Sequence, residues 1–390
     1  MTSVAQSKSG PSDPWLRAGL DPWLLVSGVA LLGLGVVMVA SSSLHKLADA
    51  PFFFLQRHLI SVVLALLGSL VVLSVPMSVW EKTSTTLYFA VLALLVVVLI
   101  PGVGREANGA VRWIPIGSFN LQASEFMKLA ITLYLAGYLK RRQAEVAYSV
   151  WAFIRPMILL VLASALIVLQ PDFGTSAVMV ATALGMLFLG GVPLWQFSIF
   201  FAMAATTLVG LILAAPYRLQ RVSSFIDPFD DPLNTDYQLS NALIAFGRGE
   251  WFGVGLGNGI QKHVYLPEAH NDFLLAIVGE EFGFLGTAIV ILLFAVIMWR
   301  AFGIGAAAEN RGARFSAYVA YGGGLLISIQ AFVNMGVNLG MLPTKGLTLP
   351  LVSYGGNSII VSTLIVALVL RVHYENSAGQ QSGGRKWIRA

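Results

Sequence analysis

Ten apolar runs decide most of what this chain can become. They fall at 23–41, 58–78, 86–101, 124–140, 154–170, 174–191, 195–215, 272–299, 316–340 and 350–371. A helix rises 1.5 Å per residue, so about 20 residues cross a hydrocarbon layer of about 30 Å. Backbone in that layer must satisfy its own N–H and C=O groups, which favours helices as the spanning form. The expected fold class is therefore an all-α polytopic membrane protein with about ten transmembrane helices. Composition agrees, with 57% hydrophobic and 11% charged residues, where soluble domains carry about 25% charged. Only "GGVPLW" separates 174–191 from 195–215, so that pair reads as a tight hairpin or a broken helix. The first run follows a polar tail and exceeds a signal-peptide core of roughly 7–15 residues, so it reads as an uncleaved span.

Ten spans put both termini on one side. If that side is the cytoplasm, inside segments carry most of the 24 Lys and Arg, with "LKRRQ" at 139–143 the cleanest case. The positive-inside rule then gives an N-in, C-in chain. The same rule accounts for the net charge of +5 without a nucleic-acid partner. With no Cys, disulfides, thiolate metal sites and Cys nucleophiles are excluded. The division expected is a disordered tail over 1–20, a membrane domain over 21–373 and a disordered tail over 374–390. Within the domain, 216–271 is a large extracytoplasmic loop between spans 7 and 8. In that loop "DYQLSNALIAFGRGEWFG" places Leu239, Leu243, Ile244 and Phe246 near helical spacing, which predicts a short amphipathic helix on the membrane surface.

Ionisable groups inside spans are costly and tend to mark function. Glu125 and Lys128 lie at i and i+3, one turn into the fourth run, and can pair with each other as readily as serve chemistry. Asp172 sits at the mouth between runs five and six, where capping a helix is the plain alternative. Asp272 opens the eighth run, where it could also be a cap, and Glu280 and Glu281 follow roughly 12–14 Å deeper. Those two read as structural polar groups. "NGAVRWIPIGSFNLQ" at 108–122 places Arg112, a fork donor suited to phosphate, beside the interfacial Trp113. His263 and His270, seven apart in a loop, give only a weak metal-site signal. "GVGLGNG" lacks the strand and βαβ unit of a dinucleotide site. Together the polar residues describe an outward-facing site near the membrane surface, suited to an anionic lipid-linked substrate. Enzyme, flippase and transporter all fit that description.

Four ordered motifs carry a resemblance: "RWIPIGSFNLQASEFMKLA", "QPDFGTSAV", "LPEAHNDFLLAIVGEEFGFLG" and "GMLPTKGLTLPLVSYGGNS". Over roughly 20–372 the chain resembles the SEDS family of bacterial cell-wall proteins (shape, elongation, division and sporulation). Lys345 and Thr348 tilt it toward the division branch rather than the elongation branch. Asn271 and Asn357 are mild departures from residues common there. The resemblance implies a peptidoglycan glycosyltransferase that polymerises lipid II at the outer face of the inner membrane. It places the family's essential loop aspartate on Asp272, as general base. Lys128 then suits the leaving pyrophosphate, with Glu125 tuning it or binding substrate. Arg112, Arg218, Arg221, Lys345 and Ser353 are further substrate-binding candidates, and a divalent cation, magnesium or manganese, is the cofactor the pyrophosphate suggests. Implied partners are membrane lipids, a class B penicillin-binding protein acting as septal transpeptidase (FtsI-like), and other divisome proteins (FtsQ-, FtsL- and FtsB-like). The competing readings are a lipid II flippase and a non-catalytic scaffold that recruits the transpeptidase.

Overall fold

The computed structural model describes every residue except 1–18, 45–49, 108–109, 118, 214–236, 264, 267–268, 344–345 and 388–390. Each expected run holds a helix: α1 (Pro22–Ser43), α2 (Phe53–Ser74), α3 (Met77–Val98), α4 (Ala123–Tyr148), α5 (Val150–Leu169), α6 (Phe173–Leu189) and α7 (Leu194–Leu213). After the short α8 (Tyr237–Gly249) come α9 (Leu274–Glu309), α10 (Arg314–Asn338) and α11 (Gly356–Trp387). Among the described residues seven helices are long and apolar enough to cross a membrane, namely α1, α2, α3, α5, α9, α10 and α11. α6 and the apolar part of α7 are shorter, and α4 carries charge.

Burial explains how α4 tolerates that charge. From Ala123 to Leu139 almost every residue is buried, because α3, α5, α6, α10 and α11 all pack around it. α10 is the second central helix, touching α4, α6, α9 and α11. α2 and α3 instead expose rows of large apolar side chains, Leu59, Val63, Leu66 and Leu70 among them, as lipid-facing helices do. Gly190 and Gly191 turn the chain between α6 and α7, with Gly191 at φ +85°, so the "GGVPLW" link is a turn joining two helices.

Several boundaries differ from the sequence expectation. The second and third helices begin at Phe53 and Met77, several residues ahead of their apolar runs. The last begins at Gly356 rather than 350, because Ser353 Oγ accepts the Leu349 N–H at 3.0 Å and closes a turn there. At its other end α11 runs on to Trp387, past 374, where a disordered tail was expected. The start of that extension is docked. Glu375 accepts the Met77 N–H at 2.9 Å, and Asn376 donates to the Ile304 carbonyl at 3.2 Å.

The stretch between α3 and α4 holds a three-stranded antiparallel sheet, β1 (Arg105–Ala107), β2 (Ala110–Ile116) and β3 (Phe119–Gln122), in the order β1-β2-β3. Trp113 pairs with Gln122, and Ile114 with Leu121. Only an interfacial Arg–Trp pair was expected there. The sheet satisfies backbone groups that a loose loop beside apolar surface would leave unpaired.

Contacts sort the helix ends into two sets. At one end Arg300 bonds Asp21, Arg371 Nη1 donates to the Leu73 carbonyl at 2.6 Å, and Lys140 Nζ lies 2.6 Å from Glu81 Oε1. At the other end the sheet, the α5–α6 turn, the segment before α9 and the turn before α11 come together. That second end holds the polar site.

Candidate functional site

Asp272 occupies the position before Phe273, which caps α9 without a side-chain hydrogen bond. Asp272 is partly exposed, while Phe273 and the first turns of α9 behind it are buried. Its main-chain carbonyl accepts from Asn334 Nδ2 and from Asn338 Nδ2, each at 2.9 Å. Two donors fill both lone pairs of that oxygen. A Cβ placed on Gly346 would lie 3.0 Å from Asp272 Oδ2, so the carboxylate rests against bare backbone.

Beside Asp272 stands an aromatic wall. His270 and Phe54 have ring centroids 4.6 Å apart, and Tyr354 lies 5.4 Å from His270 and 5.5 Å from Phe54. The Tyr354 N–H donates to the His270 carbonyl at 3.0 Å, which ties the turn before α11 to the Asp272 segment. Burial raises the Tyr354 phenol above its ordinary pKa, and the adjacent Arg57 opposes the shift. Arg57 is exposed, with its guanidinium 4.5 Å from the Phe53 ring centroid. It escaped sequence reading because an Arg at a helix start looks like a topology signal.

Lys128 is 1% exposed. Its ammonium lies 2.8 Å from Glu125 Oε2 and donates to Gln330 Oε1 at 2.6 Å. The structure thus brings Glu125 and Lys128 together as a buried pair between α4 and α10. Arg112 donates through Nε to the Gln170 carbonyl at 2.9 Å and through Nη2 to the Pro171 carbonyl at 2.5 Å. Those bonds anchor the sheet to the α5–α6 turn and engage part of the fork that phosphate would use. Asp172 caps α6, accepting the Thr175 N–H at 3.3 Å, and also accepts from Ser124 Oγ at 2.9 Å. Ser353 is buried in its turn. Arg218, Arg221 and Lys345 lie outside the described residues.

Glu280 and Glu281 have a structural use that spacing could not reveal. α9 breaks at Gly283, whose φ of +68° and ψ of −161° only glycine adopts readily. The segment after α8 fills the break. Val254 and Gly255 N–H groups donate to the Glu280 and Glu281 carbonyls at 3.0 and 3.1 Å, and the Phe284 N–H donates to the Glu250 carbonyl at 2.8 Å. The two carboxylates are fully buried and secure the same segment. Glu280 Oε1 accepts from Arg248 Nη1 at 2.9 Å and from the Ile260 N–H at 2.8 Å. Glu281 Oε1 accepts from Lys262 Nζ at 2.5 Å and from Ser41 Oγ at 2.7 Å. α8 is the predicted amphipathic helix, but its buried face of Leu239, Ala242, Ala245 and Gly249 packs on α9 and α10 rather than lying only on lipid.

Among the described residues no three His, Asp or Glu side chains gather where they could hold a metal ion.

Comparison with known proteins fits this geometry. The profile of the Cell cycle protein family FtsW/RodA/SpoVE matches residues 22–378. A protein of Allochromatium vinosum named "Probable peptidoglycan glycosyltransferase FtsW" is 50% identical over the full length of both chains. One of the same name from Thioalkalivibrio sulfidiphilus is 49% identical over 95% of each. Among solved structures, a chain of a peptidoglycan synthase complex described as coordinating polymerisation and crosslinking superposes with a TM-score of 0.75. It is 29% identical and covers 92% of this chain and 98% of its own. The rod shape determining protein RodA of Thermus thermophilus superposes at 0.68, with 29% identity over 93% and 99% of the two chains.

Proposed function

The chain belongs to the FtsW/RodA/SpoVE family of cell cycle proteins, and we propose on that premise that it polymerises lipid II with Asp272 as general base. It is a peptidoglycan glycosyltransferase, as its relatives of about half-identical sequence are named. The observation that carries the assignment of the base is the setting of Asp272. The carboxylate is partly exposed at the head of a buried helix, its main chain is clamped by two amides, and it rests against Gly346.

In the reaction an acceptor sugar hydroxyl attacks the anomeric carbon of the donor. Asp272 takes the hydroxyl proton as the new C–O bond forms. The bond from the anomeric carbon to the lipid pyrophosphate breaks, and its electron pair leaves on the pyrophosphate oxygen. Positive charge at the rim stabilises that departure. Arg57 supports this role by its exposure beside Tyr354, and Arg218, Arg221 and Lys345 are proposed to share it. Lys128 and Glu125, being buried as a pair, act from behind the site. Magnesium or manganese is expected to enter with the pyrophosphate rather than to reside on the protein.

In the proposed topology ten helices, α1–α7 and α9–α11, cross the inner membrane, with both termini in the cytoplasm. Asp272 then faces outward, where lipid II presents its sugars. The complex whose chain superposes here couples polymerisation to crosslinking, which supports a class B transpeptidase as partner. Action at the septum with other divisome proteins follows from the division-branch motif. Against a flippase, the ionisable groups within the spans, Glu125, Lys128, Glu280 and Glu281, lie toward the end that holds Asp272 rather than along the whole depth.

The deciding experiment reconstitutes the protein with its transpeptidase and supplies lipid II and a divalent cation. Polymer from wild type and none from folded, partner-bound Asp272→Asn is the expected result. Equal polymer from both would remove Asp272 from the chemistry. No polymer from either would return the flippase and scaffold readings.

A further inference from the structure

Three amide side chains interrupt the apolar run "SIQAFVNMGVN" of α10: Gln330, Asn334 and Asn338. Spaced by four, they share one helix face. All three are buried, at 3%, 2% and 0% exposure. A buried amide costs free energy unless its groups are bonded, and these bond to three different parts of the site. Gln330 Oε1 accepts from Lys128 at 2.6 Å, while its Nε2 donates to the Thr348 carbonyl at 3.0 Å. Asn334 Nδ2 has two hydrogens, and they go to the carbonyls of Leu347 at 2.5 Å and Asp272 at 2.9 Å. Asn338 Nδ2 donates to the same Asp272 carbonyl at 2.9 Å, and its Oδ1 accepts the Ala276 N–H at 3.2 Å.

Polar residues in membrane bundles commonly join helix to helix. Most of the partners here are different in kind. They are main-chain carbonyls of the two non-helical segments that carry Asp272 and residues 347–348, together with the ammonium of the buried ion pair. Gly346, which backs the Asp272 carboxylate, directly precedes two of the carbonyls held. We propose that Gln330, Asn334 and Asn338 are positioning residues for glycosyl transfer, holding Asp272, the 347–348 backbone and the Lys128–Glu125 pair as one unit. The inference rests on the glycosyltransferase reading and adds to it a device that fixes the base. Asn334 is the centre, because it alone donates to both non-helical segments. Asn334→Asp keeps size but offers at most one hydrogen where the amide offers two, so at least one of the two carbonyls loses its donor. Gln330→Glu keeps the acceptor for Lys128 and loses the donor to Thr348, whereas Gln330→Met loses both.

The test measures kcat and KM for lipid II in the reconstituted complex, and amide hydrogen exchange of the same full-length proteins. Asn334→Asp should lower kcat at least about tenfold with KM changed less than about twofold, since misplacing a catalytic group by about 1 Å costs up to roughly 100-fold. Exchange should quicken at 346–353 and at the first turn of α9 and stay unchanged elsewhere. Gln330→Glu should retain more activity than Gln330→Met. Wild-type kcat in Asn334→Asp would overturn the proposal, as would a lost kcat accompanied by faster exchange throughout the chain. If wild type itself made no polymer, the glycosyltransferase reading would fail. The exchange result would then still decide whether the ladder holds these segments, because unchanged protection at 346–353 overturns it.

Discussion

At the scale of single residues, the site turns on atoms that are missing as much as on those present. Gly346 leaves room for the Asp272 carboxylate. A methyl there would stand 3.0 Å from Oδ2, closer than ordinary van der Waals contact, so the carboxylate would shift by a few tenths of an ångström. Gly346→Ala should therefore cut polymerisation about 10- to 100-fold while the thermal unfolding midpoint stays near wild type. Lys128 poses a different question, because burial makes it part of the fold. Lys128→Met strands Glu125 and should cost on the order of 3–5 kcal/mol. Lys128→Met with Glu125→Leu removes both charges and should recover most of that loss in a detergent unfolding assay. If the double variant also polymerised at the wild-type rate, Lys128 would have no part in the reaction. Both residues were visible in the sequence because charge within an apolar run is a local signal. Their partner Gln330 was not, since an uncharged amide in such a run draws no notice.

At the scale of elements, α9 is two helices held in register by a borrowed segment. Residues 250–255 supply the hydrogen bonds that the break at Gly283 forfeits. A Cβ on Gly283 would meet the Gly253 nitrogen at 2.4 Å, in a backbone conformation that side chains resist. Gly283→Ala should destabilise the protein by about 2 kcal/mol or more, read as a lowered unfolding midpoint, and should loosen 250–262 to proteolysis. An unchanged midpoint would mean that the break is not constrained as described. Apolar run length could not show this break, because both halves of α9 are equally apolar. The glycine was in plain view, but so were 38 others. The sheet between α3 and α4 escaped for a related reason: its strands are short, and Pro115 interrupts the pattern that would announce them.

For the whole molecule, the absence of native Cys makes topology directly measurable. Single cysteines at Phe252 and Tyr148, exposed at 79% and 91%, report on opposite ends of the bundle. A membrane-impermeant maleimide should label Phe252→Cys in intact spheroplasts and Tyr148→Cys only after permeabilisation. The reverse pattern would invert the proposed orientation and place Asp272 on the wrong side for lipid II. Sequence by itself determined the helical class and the approximate place of each helix, because lipid acts on every residue locally through its polarity, whereas Asp272 as candidate base came only through the family resemblance. Sequence also determined the family, through motifs read along the chain. Which side chains meet was decided only by the tertiary structure. Arg248 and Lys262 reach Glu280 and Glu281 from another segment, and one face of α10 gathers Lys128, Thr348 and Asp272. The physical reason is that apolar patterning fixes which groups leave water, whereas the partner of each buried polar group depends on how helices distant in sequence pack together.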